Sequence, residues 1–78
     1  MKKFNLEQAK AGKPVCTKRG YPAMIWDFNY EYEGENWLVC CVQSPYYEGN
    51  GFLVMVDETG STRDEYKNYN DLMMMDVE

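Results

Sequence analysis

The chain has no histidine. That removes the usual general base and the commonest metal ligand. Three cysteines, Cys16, Cys40 and Cys41, remain, too few to close a zinc site without histidine. Neighbours on a strand point to opposite faces, so Cys40 and Cys41 do not share a ligand or one bridge. The three read as small buried hydrophobes of a reducing compartment; a Cys16–Cys40 or Cys16–Cys41 bridge is the alternative and would imply export. Met1, Lys2 and Lys3 could open a signal peptide, but no apolar core follows them. No apolar run approaches the length of a membrane span. A cytoplasmic protein with no membrane contact and no cofactor is the expectation. Positive charge is also scarce: eight Lys and Arg face thirteen Asp and Glu, for a net charge of −5. Duplex nucleic acid binding needs clustered cations and is therefore excluded as an expectation. The one basic cluster, Lys18 and Arg19 with the N-terminal lysines, reads as a turn beside a solvated helix face.

Several short apolar runs are present. Residues 37–43 run Trp37, Leu38, Val39, Cys40, Cys41, Val42, Gln43. The run is β-branched and aromatic, too short for a typical helix, and right for a strand covered on both faces. Residues 23–28 and 52–56 can flank it. With 78 residues the chain suits one domain, residues 1–78. So small a core is marginal, and a partner or second copy could supply the rest.

Residues 5–11 predict a short helix. Asn5 suits the N-cap, Gln8 stands three residues on, and Phe4 and Ala9 can staple. Gly12 ends the helix and Pro14 blocks its return. Residues 15–17 predict a strand, residues 18–20 a hairpin turn with Gly20 at positive φ. From residue 23 to 32 the pattern alternates: Met24, Trp26, Phe28, Tyr30 and Tyr32 on one face, Ala23, Ile25, Asp27, Asn29 and Glu31 on the other. A turn at residues 33–36 leads into the central strand. A loop over residues 44–51 precedes a strand at 52–56. Residues 61–66 predict a charged edge strand, and residues 72–75 a short last strand or a closing segment that plugs the core. The fold expected is mainly β with one short N-terminal helix. Its meander covers about residues 15–75 in five or six antiparallel strands, strongly bent or closed as a small SH3-like barrel.

The opening Phe4, Leu6, Glu7, Ala9, Gly12, then Val15, Thr17 and Gly20, with Tyr69, Asp71 and Leu72 at the end, resembles a group of small bacterial and phage-like β-rich domains. They share a Phe-x-Leu-Glu-x-Ala-x-x-Gly helix, a Val-x-Thr-x-x-Gly hairpin and a terminal Tyr-x-Asp-Leu. The resemblance covers the ends by motif and the middle by pattern. It implies a compact β-rich fold and carries no functional residues over.

No catalytic constellation stands out. Asp27 and Glu31 could pair on one strand face, but carboxylates on such a face usually only solvate it. The chain reads as no enzyme. Gly49, Asn50 and Gly51 lack the strand–loop–helix setting of a phosphate loop. The surplus is in rings. Tyr30, Tyr32, Trp37, Tyr46, Tyr47, Tyr66 and Tyr69 exceed what so small a core absorbs, tyrosine and tryptophan suit protein contacts, and the first five are the candidate partner-binding residues. The leading expectation is a small protein-interaction module that uses two aromatic hairpin tips to hold a protein partner or its own copy. For any single ring, cross-strand packing is the competing reading. The alternative function is an acidic decoy of a nucleic-acid-binding protein, from Glu31, Glu33, Glu35, Glu48, Asp57, Glu58, Asp64 and Glu65. Single-stranded nucleic acid binding on aromatic platforms would need a basic groove, which the charge balance disfavours.

Overall fold

A computed structural model describes residues 1–46, 49 and 51–75. The elements in chain order are β1 (Lys2–Lys3), α1 (Leu6–Lys10), β2 (Val15–Thr17), β3 (Pro22–Tyr32), β4 (Glu35–Val42), β5 (Phe52–Val56), a 3-10 turn (Asn68–Asn70) and β6 (Leu72–Met74). The strands form one antiparallel sheet in the order β1-β6-β2-β3-β4-β5. The chain is thus mainly β with one short helix, as its periodicity predicts.

Local chemistry explains the start. The Asn5 side chain accepts the Gln8 N–H at 3.0 Å, capping α1. Lys13 N–H returns to the Gln8 carbonyl and Gly12 N–H to Ala9, the paired bonds of a Schellman stop. Phe4 and Ala9 are both buried in the core. At β2, Thr17 N–H bonds the Tyr21 carbonyl and Gly20 N–H bonds that of Thr17, which closes the tight hairpin. β4 lies inside the sheet but one strand from its edge, not at its centre: β3 flanks it on one side and the edge strand β5 on the other, and Leu38, Cys40, Cys41 and Val42 are buried.

Three features differ from expectation. First, the alternation in β3 is broken twice. The pairing steps from Ile25↔Cys40 to Asp27↔Val39 to Tyr30↔Trp37, with one extra β3 residue each time. Each bulge reverses the side-chain faces and two restore them. Phe28 therefore joins Ala23 and Ile25 on the core, while Met24, Trp26, Tyr30 and Tyr32 stay outside.

Second, residues 61–66 are not a strand. Side chains capture their backbone instead: Asp57 takes Ser61 N–H, Ser61 takes Arg63 N–H, Asp71 takes Thr62 N–H and Asp64 takes Tyr66 N–H. Such local bonds compete with a ladder.

Third, β6 does not extend the meander. It returns to lie between β1 and β2, and β1 was not legible at all.

Of the two forms expected, strongly bent or closed as a small barrel, the sheet takes the first and does not close. Three strands separate β5 from β6, yet Leu72 N–H bonds the Gly60 carbonyl at 2.7 Å. Gly60, at φ +85°, packs so closely on Phe4 that a Cβ there would lie 2.8 Å from the ring carbon Cγ. The core lies inside this curl: Phe4, Ala9, Val15, Leu38, Cys40, Val56, Leu72 and Met74. α1 covers it through Ala9. Because the sheet stays open, β5 remains an edge.

Candidate functional site

The convex face of β3 and β4 lacks a covering element among the described residues. Met24 is 65% exposed and Trp26 58%, well above what such side chains show in a monomer core. Tyr30 and Tyr32 project from the same face nearer the hairpin tip. Their rings stack at 6.4 Å with 13° between planes. Leu53, opposite Cys41 on β5, adds a 60% exposed side chain to this face. Beneath Met24 and Trp26 lies a shallow hollow that also borders Cys41 and Gln43. The hairpin turn carries Glu33 at φ +52° and Gly34 at φ +78°, the paired left-handed residues of a two-residue β-turn.

Trp37 occupies a different setting from the other rings. It is half-buried, and the Arg63 guanidinium lies 5.0 Å over its ring. Its indole N–H is buried and has no acceptor among the described residues. Arg63 itself is clamped. Its Nε donates to Asp57 at 2.9 Å and a terminal nitrogen donates to Glu35 at 2.8 Å. Asp57 also accepts from the Thr59 hydroxyl and from the Thr59 and Ser61 N–H groups. Partial burial alone would raise the Asp57 carboxyl. The bonds from Thr59, Arg63 and Ser61 outweigh it and hold the carboxyl below its usual range. The clamp ties the 57–63 turn to the convex face beside the hairpin.

Tyr46 is 82% exposed but lies elsewhere. It follows β4, whereas the Gly34 turn precedes it. An eight-residue strand separates the two, roughly 25 Å at the usual rise per residue. The two tips expected to act together therefore stand at opposite ends of the sheet. Tyr47 lies outside the described residues, as does Glu48.

The carboxylate pair also separates. Asp27 pairs with Val39 and Glu31 with Asn36, neighbours of opposite parity on β4, so the two carboxylates face opposite ways. Asp27 holds the Asn29 N–H at 2.8 Å. Cys16, Cys40 and Cys41 are buried thiols. Burial pushes Cys40 up to about 12, far from the thiolate a nucleophile needs. Among the described residues no three metal-ligating side chains gather, and no helix is long and apolar enough to cross a membrane.

Met24, Trp26 and Leu53 lie outside the set of contact rings that the sequence suggests. For Met24 and Trp26 the signal was present: the alternation puts them on the face of Tyr30 and Tyr32. What was missing was knowledge that no element covers that face.

A family model described as Haemophilus phage HP1 protein YO09 matches residues 1–75. No curated protein and no solved structure matches the chain.

Proposed function

Since the chain belongs to the family of Haemophilus phage HP1 protein YO09, we propose that this small phage-type domain is a protein-binding module. Its contact surface is the convex face of the β3–β4 hairpin. The observation that carries this reading is the row of exposed Met24, Trp26, Tyr30 and Tyr32 on one side of one rigid hairpin. Aromatic rings lose little conformational freedom on binding and present large apolar areas. Asp27 on the same face and Glu33 at the hairpin tip stand exposed beside them, so the matching partner surface is apolar with a basic rim.

The decoy reading draws less support. Arg63 neutralises Glu35 and Asp57, and Lys18 lies 3.8 Å from Asp71. The carboxylates are thereby broken up rather than lined in a stripe.

The test is a triple variant, Trp26→Ser with Tyr30→Ser and Tyr32→Ser. Urea unfolding of the variant should shift by less than about 1 kcal/mol per site, as exposed positions allow. A protein that co-purifies with the wild type should no longer co-purify with the variant. Retention of that protein by the folded variant would reject the convex face as the contact surface.

A further inference from the structure

β5 is the last strand of the sheet and carries none of the usual guards. Phe52, Leu53, Val54, Met55 and Val56 include no charge and no proline. The charges expected to protect an edge, Arg63, Asp64 and Lys67, sit instead in the looped 61–70 segment. Between that segment and β5 runs a groove of about 580 Å³.

The direction of the backbone groups follows from one bond. Gln43 N–H donates to Pro22 on β3. In an antiparallel ladder the direction alternates, so Val42, Cys40 and Leu38 turn towards β5 and pair with Phe52, Val54 and Val56. Leu53 and Met55 then direct N–H and C=O outward, away from the sheet. No group among the described residues bonds them there.

Charge adds a polarity to the groove. Among the described residues, Arg19 and Lys67 line it with one carboxylate, Asp64. Arg19 lies 4.0 Å over the Tyr69 ring, and neither cation has an ion-pair partner among the described residues. In a chain of net charge −5, two cations without an ion-pair partner among the described residues, beside an open strand, call for a carboxylate from outside.

β5 itself ends in that chemistry: the apolar strand runs directly into Asp57 and Glu58. Asp57 is held by Arg63, but Glu58 is exposed and uncommitted. We propose that the open edge of β5 takes the β5 strand of a second copy of this chain, antiparallel about a two-fold axis at Val54. In that register Leu53 faces the partner's Met55, and each exchanges both of its outward backbone bonds with the other. The partner's Glu58, in the turn that follows its β5, is the carboxylate this pairing offers to Arg19 and Lys67 in the groove. The two six-stranded sheets become one, and both convex faces lie on the same side. This association uses backbone edges and does not depend on the hairpin contact surface proposed above.

The experiment combines sedimentation over a concentration series with amide hydrogen exchange of the full chain. A dimer is expected, with the Leu53 and Met55 amides protected as it forms and association weaker at high salt. Met55→Pro removes an outward donor while leaving the β4 ladder bonds in place, and should raise the dissociation constant about tenfold or more. Lys67→Glu should raise it about two- to fivefold, and Glu58→Lys added to it should recover most of that loss. The lysine–glutamate exchange alters only exposed side chains, so it remains informative if Met55→Pro fails to fold. A strict monomer whose Leu53 and Met55 amides exchange freely overturns the proposal. So does a dimer that Trp26→Ser dissociates and Lys67→Glu leaves unchanged, because its contact is then the convex face. Protection of those amides in a monomer only when another protein is added overturns it in favour of a foreign strand.

Discussion

Arg63 shows how much one residue can be asked to do. Its backbone is left-handed at φ +58°, a conformation that costs a side-chain-bearing residue about 1–2 kcal/mol. Its side chain bridges Asp57 and Glu35 and covers Trp37. Removing the side chain without relieving the backbone is the worse change. Arg63→Ala should therefore unfold at lower urea than Arg63→Gly, by about 1 kcal/mol; equal midpoints would show that the turn is not strained. The residue it grips supplies a pH dependence. Asp57 has a folded pKa below its unfolded value, so its stabilising share is complete above the unfolded pKa, near 3.9. It fades as pH falls through the lower, folded value. In Asp57→Asn the stability difference from wild type should shrink on acidification below about pH 4, measured by urea unfolding at a series of pH values. Cys40 behaves oppositely to a reactive thiol: with its pKa pushed up to about 12, it should resist iodoacetamide at pH 8 in the native chain and react once unfolded.

Single elements divide into those built by local chemistry and those rescued by packing. α1 has five residues, far too short to hold alone, and depends on its cap, its stop and the docking of Ala9. Asn5→Ala should cost about 1 kcal/mol in chemical denaturation. All three supports of α1 are written within a few residues of it, and the helix, its cap and its glycine stop were legible for that reason. β3 was legible as a strand but not in its faces. The bulges after Ile25 and Asp27 come from pairing with β4, and nothing in residues 22–32 alone announces where the extra residues fall. The 61–66 segment reads as a guarded edge strand because its charges resemble one. Its Ser, Thr and Asp side chains captured the backbone first.

At the scale of the molecule, the curl joins distant parts through Gly60. A Cβ at that position meets Phe4, the ring that also seats α1. Gly60→Ala should destabilise the whole domain by about 2 kcal/mol or more, from a left-handed backbone and overpacking together. A loss confined to local exchange of the 57–61 turn, with an unchanged global midpoint, would show that the curl does not depend on this contact. Among the described residues, the same curl leaves the convex face of β3 and β4 uncovered apart from Arg63 over Trp37, and β5 at an edge; those two exposures make up the candidate contact surfaces.

Local pattern by itself determined that this chain is mainly β with one capped helix, that residues 37–42 run extended as a buried strand, and that rings outnumber what the core can hold. Periodicity, caps and tight turns act within a few residues, so they survive in the sequence. Only the tertiary structure decided that β6 returns beside β2, that Phe28 turns inward, that Tyr46 stands a strand's length from Tyr30, and that β5 is the unguarded edge. Each of these depends on which distant strands pair, and pairing is settled by the joint fit of surfaces far apart in the chain.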